Sequence, residues 1–472
     1  MFQKSLLKDE HIEPLAEAVC TVLEKVGMLY QNEEMLKALD EFGAMVDYSS
    51  ERARFPKRLA REFVESLRKE ASGKDDTGHR NFVPPELPYW GRQVTPFWYD
   101  YEKGENRPGN KKDFVEMIKL ADMVHPEQGV GHCLLLRDVP PLLEPLEAAI
   151  LLTEYAHKPA GTYYTDIRQL EPLLEMDEIL GGEGSIAPAS AINYAHPLRF
   201  DRDVAGRYVN SVKEKNIAWL NGMQVAGATT PVTVEGFIVV VAAEVIAGWI
   251  VARALNPKVQ VGSAIWGGVS DMRGGVSFSS FDAMYYAFCA AEFMRRWCGK
   301  NLSVGGGEYC DAKKPGVYAA LEKAYKAMTI AAFQGWHPKV ASGMLECGRT
   351  ISPVQLLLDR EVGLGVCQFG RSVSPTPENI SLPEILEIDL GIEKSYLETE
   401  HTLGHFRSCL WLPELIDRSG WNGHDWEDEI LRKAQRKVNQ LIAEHKKPEG
   451  REEKLAKMRQ VVRRAKMELR VS

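Results

Sequence analysis

The stretch IAWLNGMQVAGATTPVTVEGFIVVVAAEVIAGWIVARALNPKVQVGSAIW (Ile217–Trp266) decides the fold of this 472-residue chain. It opens on a short β-rich run at Ile217–Asn221, continues through a long apolar helical stretch at Val234–Leu255, and closes on a second β-rich run at Gln260–Trp266. Two strands joined through a helix pair in parallel by a right-handed crossover, because only that hand packs the helix back onto the sheet. The stretch therefore predicts a parallel α/β fold.

The same alternation recurs from residue 131 onward, with helical stretches between the β-rich runs. The eight runs are His132–Leu136, Ala160–Thr165, Ser190–Tyr194, Ile217–Asn221, Gln260–Trp266, Leu302–Gly306, Lys339–Met344 and Gly365–Phe369. Eight parallel strands close a (β/α)8 TIM barrel. An open doubly wound sheet is the alternative, but it carries a glycine-rich phosphate loop after its first strand, and GGGEY (Gly305–Tyr309) follows the sixth. We therefore predict the barrel.

The segments on either side of the repeats are predicted to be helical. Residues 1–110 hold N-terminal helices and a connection, residues 111–400 the barrel, and residues 401–472 C-terminal helices that pack on the barrel and end in a charged tail. Apolar residues at helical spacing from Ile12 to Val26 indicate the first helix. From Asp425 onward the chain carries 14 Lys and Arg against 9 Asp and Glu, a pattern typical of solvated helix faces.

Charge and composition exclude several classes of function. A net charge of −8 argues against a nucleic-acid partner, which needs a basic surface. The N-terminus lacks the apolar core of a signal peptide, so we expect a cytoplasmic protein. The apolar run Ile238–Ala252 is shorter than a membrane span and contains Glu244, so we expect a buried helix and no membrane partner. The eight cysteines form no CxxC pair, which predicts reduced thiols and no metal site.

The residues that follow the eight runs are the candidates for an active site, because reacting groups in (β/α)8 barrels lie at the carboxyl ends of the strands. We expect the substrate to be contacted by Tyr164, Trp266, Tyr309, Phe369, Arg349 and Arg371. We expect a catalytic or orienting role for His196, Gln224, Glu308 and Glu346.

These residue types suit a ligand that bears both charges. Aromatic faces attract a quaternary ammonium by cation–π interaction, and carboxylates make the local potential negative. An arginine pairs bidentately with a carboxylate. The combination favours a betaine. The alternative is that Trp266 and Tyr309 are core side chains and that Glu308 caps the following helix.

Five stretches of the chain resemble the trimethylamine methyltransferase family in their order and spacing. They are NYAHPLRFDRD (Asn193–Asp203), QVAGATTPVTVEG (Gln224–Gly236), GGGEYCDAKKPGVYAALEK (Gly305–Lys323), SGMLECGRTISPVQLLLDRE (Ser342–Glu361) and HTLGHFRSCLWLPELIDR (His401–Arg418). The resemblance implies a barrel enzyme that removes a methyl group from a methylated amine. It also implies that the acceptor is Co(I) of a corrinoid carried by a separate cognate protein, so no tightly bound cofactor is expected.

The chain departs from the founding members of that family, because it has only standard residues where they carry pyrrolysine. Members without pyrrolysine resemble enzymes for quaternary amines, whose leaving group is a neutral amine that needs no activation. The expected reaction therefore takes a methyl group from glycine betaine and leaves dimethylglycine. Proline betaine, carnitine and trimethylamine are the alternative substrates.

Three other functions are consistent with parts of the sequence. A hydrolytic barrel would use Glu308 and Glu346 as paired carboxylates. A binding protein would hold a quaternary amine without chemistry. A zinc-dependent methyltransferase would require Cys310, His196 and Glu308 to converge as ligands. A homo-oligomer is also possible through the apolar region Cys409–Ile416.

Overall fold

The computed structural model describes residues 5–71, 94–182, 186, 192–214, 216–333, 338, 340, 342–390, 392–421, 423 and 425–470. Within these residues the protein is a mixed α/β structure in which short sheets are surrounded by helices. The first elements are α1 (Ile12–Lys25), β1 (Met28–Tyr30), α2 (Glu33–Phe42), β2 (Met45–Asp47), β3 (Arg52–Arg54) and α3 (Lys57–Ala71).

The central elements alternate as predicted around the runs Ile217–Asn221, Gln260–Trp266 and Leu302–Gly306, which contain strands, whereas the runs His132–Leu136 and Ala160–Thr165 contain only single bridges. They are β4 (Phe97–Asp100), β5 (Glu105–Pro108), α4 (Lys111–Val124), α5 (Glu144–Tyr155), α6 (Leu170–Leu180), β6 (Arg199–Phe200), α7 (Arg202–Glu214), β7 (Ile217–Gly222), β8 (Val225–Ala226), α8 (Val234–Leu255), β9 (Gln260–Ile265), β10 (Gly268–Asp271), β11 (Gly275–Ser277), α9 (Phe281–Cys298), β12 (Ser303–Val304), α10 (Val317–Phe333), β13 (Met344–Leu345), β14 (Thr350–Ile351) and α11 (Pro353–Cys367).

The C-terminal part is helical, as predicted. Its elements are α12 (Pro377–Ile380), α13 (Leu382–Ile388), α14 (Glu400–Cys409), α15 (Trp426–Glu444) and α16 (Glu452–Glu468). We call residues 372–407 the arm; its described residues, 372–390 and 392–407, form an extended loop with the short helices α12 and α13 and most of α14. Ile388 is the one buried side chain that the structure describes in it.

The strand–helix–strand unit of Ile217–Trp266 is confirmed. β7 pairs with β9 in parallel over all six residues, from Ile217 opposite Gln260 to Gly222 opposite Ile265. β9 pairs in parallel with β12, so the order in this sheet is β7-β9-β12. A crossover helix, α8, connects β7 with β9, as parallel pairing requires.

Helix α8 is buried on nearly all sides, which explains its uniform apolarity. Among the described residues it is the one helix long and apolar enough to cross a membrane, and 72% of its most apolar window is buried inside the protein. The predicted reading of Ile238–Ala252 as a buried helix is confirmed.

Single bridges add further parallel neighbours. Thr95 pairs with Leu134, Val130 with Pro159, and Asn193 with Asn221. The described strands form several small sheets and do not show a closed barrel. The runs Ser190–Tyr194 and Lys339–Met344 lie partly outside the described residues.

Two predictions about strands were wrong. Gly365–Phe369 is not a strand, because helix α11 continues to Cys367 and a 3-10 turn follows. A short apolar run does not by itself distinguish a strand from the end of a buried helix. In addition, part of the predicted connection forms the hairpin β4–β5, and β4 pairs in parallel with β14.

The flanking helices share cores with the central part. α1, α2 and α3 contribute side chains such as Leu23 and Leu39 to the cluster that contains Trp249 of α8. α15 and α16 contribute Val438 and Met458 to a second cluster with α4 and α5. The boundaries at residues 110 and 400 stay a prediction.

Candidate active site

The residues that follow β7, β9 and β12 lie side by side at one edge, which we call the strand-exit edge. The backbone N–H of Trp266 donates to the carbonyl of Gly222 at 2.7 Å, and that of Gly305 donates to Ile265 at 2.9 Å. The N–H of Gly268 donates to the carbonyl of Gln224 at 2.8 Å. The parallel register therefore gathers Gln224, Trp266 and the glycine-rich loop at one place.

Three polar side-chain atoms at this edge are buried without a hydrogen-bond partner in the part of the chain that the structure describes. They are Oε1 of Gln224, Nε1 of Trp266 and Oε2 of Glu308. Buried polar groups in folded proteins are nearly always paired, because leaving one unpaired costs about 1–3 kcal/mol. Two open acceptors and one open donor at a single edge are what a binding site for a small polar ligand presents.

The orientation of Gln224 is set by Glu244, a fully buried carboxylate of α8. Nε2 of Gln224 donates to Oε2 of Glu244 at 2.7 Å, so the amide oxygen of Gln224 points away from Glu244. The N–H of Leu198 donates to Oε1 of Glu244 at 2.6 Å. Sequence reasoning noted Glu244 only as the one charge in an apolar run, and that was the available signal for its role.

His196 is held by the same carboxylate. Its Nε2 accepts a hydrogen bond from the N–H of Met223 at 2.9 Å, so the proton belongs on Nδ1. Nδ1 then donates to Glu244 at 3.0 Å. Both ring nitrogens are engaged, which makes His196 a positioning residue for the chain segment that leads into Gln224.

Trp266 and Tyr309 both border Gly306, and each ring also rests on a second glycine. A Cβ on Gly305 would lie 2.2 Å from Cε2 of Trp266, so the indole rests directly on the backbone. A Cβ on Gly306 would lie 3.6 Å from the Trp266 ring and 3.9 Å from the Tyr309 ring. Gly348, at φ +83°, would bring a Cβ within 2.3 Å of Cε1 of Tyr309. The glycine-rich loop thus brings both rings together.

A buried lysine supports this loop from beneath. Nζ of Lys326, in α10, donates to the carbonyl of Tyr309 and, at 3.2 Å, to Oγ of Ser279. Burial lowers the pKa of Lys326 to about 8, and the nearby carboxylate of Glu308 opposes that shift. Burial also raises the pKa of the Tyr309 hydroxyl well above its ordinary value, so the phenol is neutral. No sequence pattern distinguished Lys326 from other helix residues.

The loop after β13 closes one side of the site. Sγ of Cys347 donates to Oδ1 of Asp311 at 2.7 Å, and Oγ of Ser277 donates to Oδ2. Burial raises the pKa of the Cys347 thiol to about 12, so it stays protonated at neutral pH. The hydrogen bonds join the Cys347 loop to the Asp311 loop and to β11.

Glu346 and Arg349 flank Cys347 on this loop. Glu346 accepts hydrogen bonds from Oγ1 of Thr350 and Nδ2 of Asn106, both at 2.7 Å. The guanidinium of Arg349 is solvent-exposed and lies 5.9 Å from the centre of the Phe97 ring. Glu346 is therefore committed to the hairpin β4–β5, whereas Arg349 remains accessible beside the edge.

A profile of the trimethylamine methyltransferase family (MTTB) matches residues 2–470. The chain belongs to this family. It is a methyltransferase, and the residues of the strand-exit edge all lie inside the matched region.

Relatives named for two different substrates match the chain, two of them over more than 90% of its length. A glycine betaine methyltransferase of Desulfitobacterium hafniense (strain Y51) is 23% identical over 468 residues, covering 94% of this chain and 93% of its own. A trimethylamine methyltransferase MttB of Desulfitobacterium hafniense (strain DSM 10664 / DCB-2) is 22% identical, covering 95% and 91%. The trimethylamine methyltransferase MttB2 of Methanosarcina mazei is 26% identical over 251 residues, covering 52% and 48%.

Three of the predicted site residues of this protein lie away from the strand-exit edge. Phe369 and Arg371 follow the end of α11, and Arg371 donates to the carbonyls of Ser408 and Cys409. A 15-residue helix is about 22 Å long, and α11 begins beside β14, so its far end is remote from the edge. Their placement depended on a strand at Gly365–Phe369 that does not exist.

Tyr164 is the third of these residues. It is buried in the core that faces the outer helices. Burial raises the pKa of the Tyr309 hydroxyl most, followed by the charges of Glu308 and Cys347, and the neighbouring Tyr163 adds a smaller effect. Successive residues of an extended chain point to opposite faces. We therefore expect Tyr163, rather than Tyr164, on the side of the site.

The residues of the zinc hypothesis do not converge. Sγ of Cys310 contacts the carbonyl of Met344, and both nitrogens of His196 are engaged as described above. Among the described residues, one group has metal-ligand geometry: Asp122, His157 and His445. Oδ2 of Asp122 lies 2.6 Å from Nδ1 of His157 and 3.0 Å from Nε2 of His445, which are hydrogen-bond distances. This group links the C-terminal helices to α4.

Proposed function

We propose that this methyltransferase takes a methyl group from a quaternary amine, glycine betaine first, and transfers it to Co(I) of a separate corrinoid protein, leaving dimethylglycine. The observation that carries the proposal is Oε2 of Glu308, a buried carboxylate oxygen without a partner in the described residues, on the same loop as Tyr309 and at the same edge as Trp266. An unpaired oxygen of a buried carboxylate favours a cation beside it, in addition to the nearby Lys326. A trimethylammonium group supplies that charge and presents its methyl groups to the aromatic faces.

The other open atoms suit the rest of a betaine. The indole N–H of Trp266 is a donor for the substrate carboxylate, and the exposed guanidinium of Arg349 is a second one. Oε1 of Gln224 accepts the polarised C–H groups of the cation. Trp266, Tyr309, Glu308, Gln224 and Arg349 are therefore the proposed substrate contacts.

The reaction asks for positioning rather than proton transfer. The C–N bond to one methyl group breaks as the cobalt–carbon bond forms, and the electron pair of the broken bond stays on nitrogen, which leaves as a neutral amine. No proton has to move, which agrees with a site in which His196 is fully hydrogen-bonded and Tyr309 is neutral. A reduced corrinoid supplies the nucleophile when it docks. Holding one methyl group in line is the main contribution of the protein.

A partner protein has a surface on which to dock. Exposed apolar side chains surround the strand-exit edge, at the β10–β11 hairpin and the first turns of α9 and α10: Met272, Val276, Phe281, Val317, Tyr318 and Leu321. Helices that follow parallel strands begin at the carboxyl ends of those strands, so these side chains and the open polar atoms face the same side. Clustered apolar side chains on a soluble protein mark an interaction surface.

We propose further that the parallel pairs belong to a (β/α)8 barrel in a cytoplasmic protein, within residues 111–400 and the hairpin before them. The support is that the segment that leads into and through β4 has two parallel contacts, the bridge of Thr95 with Leu134 and the pairing of Phe97 with Thr350, whereas the other neighbour of β4 is the antiparallel β5. A strand near the start of a barrel pairs in this way with the following strand and with the last.

The proposal is tested with purified protein, a reduced corrinoid protein and a panel of amines. We expect the absorbance change of corrinoid methylation with glycine betaine, and stoichiometric dimethylglycine by mass spectrometry. If trimethylamine supports methylation of the corrinoid and no betaine does, the substrate is a tertiary amine and not a quaternary one. Absence of methylation with glycine betaine, proline betaine, carnitine and trimethylamine would refute the proposal.

A further inference from the structure

The arm, residues 372–407, exposes far more apolar surface than an isolated soluble protein tolerates. Six of its side chains are each at least 68% exposed: Val373, Leu386, Leu390, Ile392, Leu397 and Leu403. With the less exposed apolar residues of the arm, this is on the order of 1,000 Å² of apolar surface. The largest such patch on a typical monomer is about 300–600 Å².

The arm has a defined base and is not a frayed loop. Nη1 of Arg371 donates to the carbonyls of Ser408 and Cys409 at 2.8 and 2.9 Å, which ties the two ends of the arm together. Just beyond, the N–H groups of Leu415 and Ile416 donate to the carboxylate of Glu361 at 2.9 Å. The arm therefore projects as one body from the far end of α11.

We propose that the arm is the contact through which two copies of this chain associate, each copy burying its arm on the other. A standard interface takes about 800 Å² from each partner, which the arm alone supplies. Permanent interfaces between identical subunits are also the most apolar class, whereas transient partners use smaller and more polar surfaces.

The position of the arm's base argues against the corrinoid protein as the partner that binds the arm. This argument rests on the proposed function. Methyl transfer requires that protein at the strand-exit edge. The N–H of Ser352 donates to the carbonyl of Gly343, so α11 begins beside the strands, and the arm starts about 22 Å away at its other end. A surface at that end serves assembly rather than catalysis.

Charge indicates which surface of the second copy receives the arm. Residues 372–407 carry seven Asp and Glu against two Lys and Arg, and residues 425–472 carry 14 Lys and Arg against nine Asp and Glu. Two arms packed on each other would set like charges together. If the acidic arm of each copy packs on α15 and α16 of the other, opposite charges meet. The same contact is then made twice, as two-fold symmetry requires.

The test is the molar mass in solution, by light scattering at micromolar concentration, without substrate or corrinoid protein. One chain is 53.0 kDa, and we expect the wild type at twice that mass. Leu386→Asp with Leu397→Asp should return it to the mass of one chain, with an unchanged far-ultraviolet circular dichroism spectrum. Met272→Asp, at a side chain 95% exposed on the β10–β11 hairpin, should leave the double mass.

A wild type at the mass of one chain would overturn the proposal, as would a double variant that keeps the doubled mass. A double variant that keeps the doubled mass but no longer binds the corrinoid protein would assign the arm to that partner instead. Because the mass is measured without any reaction, its outcome is independent of whether a betaine is the substrate.

Discussion

Gln224 and Glu244 share a 2.7 Å hydrogen bond from Nε2 to Oε2, and Oε1 of Gln224 is left without a partner in the described residues. The carboxylate lies on α8, in the interior, while the amide lies at the strand-exit edge. Glu244 also receives Nδ1–H of His196. One buried charge thus orients two of the residues that the sequence singles out.

Glu244→Gln should destabilise the protein by about 3 kcal/mol. The amide has one acceptor oxygen in place of two, and its NH2 group would face the N–H of Leu198 or of His196. Urea denaturation measures the change in the free energy of unfolding. Glu235→Gln, at an exposed residue of the same helix, should change it by no more than about 0.5 kcal/mol. Equal denaturation midpoints for the two variants would contradict the network.

Glu308→Gln should weaken binding and strengthen the fold. Removing a buried carboxylate that has one oxygen without a hydrogen-bond partner in the described residues should raise the free energy of unfolding by about 1–2 kcal/mol. The Kd for tetramethylammonium should rise roughly tenfold or more, by calorimetry, because the compensating anion is gone. The matched control is Glu292→Gln, whose carboxylate accepts the N–H groups of Leu6 and Leu7. Glu292→Gln should lose stability and keep its affinity for tetramethylammonium. If Glu308→Gln behaves in the same way, Glu308 has a structural role only.

Trp266→Leu should weaken tetramethylammonium binding by about 0.5–2 kcal/mol, roughly 2- to 30-fold, because a π face is lost. Trp266→Phe keeps a ring but loses the indole N–H. It should therefore retain most of the affinity for tetramethylammonium and lose more of the affinity for a betaine, which also carries a carboxylate. If both variants bind both ligands as the wild type does, Trp266 does not contact the substrate.

Gly305→Ala should disturb the site through sterics alone. The new Cβ would lie 2.2 Å from the Trp266 indole, so the ring must move and the binding of quaternary ammonium ligands should fall. Gly274→Ala, on the β10–β11 hairpin, has nothing within 4 Å of the new methyl group and should bind as the wild type does. Intrinsic tryptophan fluorescence reports the displacement independently of binding. Unchanged fluorescence and affinity in Gly305→Ala would contradict the stated packing.

Lys326 should make stability depend on alkaline pH. Its pKa is about 8 in the folded protein and near 10.5 in the unfolded chain, so between these values the unfolded chain binds more protons. The free energy of unfolding therefore rises with pH across that window, by up to about 1.4 kcal/mol per pH unit. Lys326→Met should lack this rise when wild type and variant are compared at pH 7.5 and 9.5. Parallel pH profiles would show that the lysine is not buried in its charged form.

The alternation of short β-rich runs with apolar helices was sufficient to predict the α/β class and the bounds of α8. Hydrophobic periodicity is a local property and determines local structure. The same local reasoning placed a strand at Gly365–Phe369, where an apolar run ends a helix, and overlooked β4, which lies among prolines and aromatic residues.

The sequence by itself determined the family, most of the long helices and the residue types available for chemistry. Only the tertiary structure decided which of them meet. Glu244 and Lys326 come to the predicted site through helix packing against the strands, whereas Phe369, Arg371 and Tyr164 lie away from it. The reason is physical: the pattern along a chain records whether a side chain is buried, but a hydrogen bond between Gln224 and Glu244 depends on how a whole helix packs against a strand.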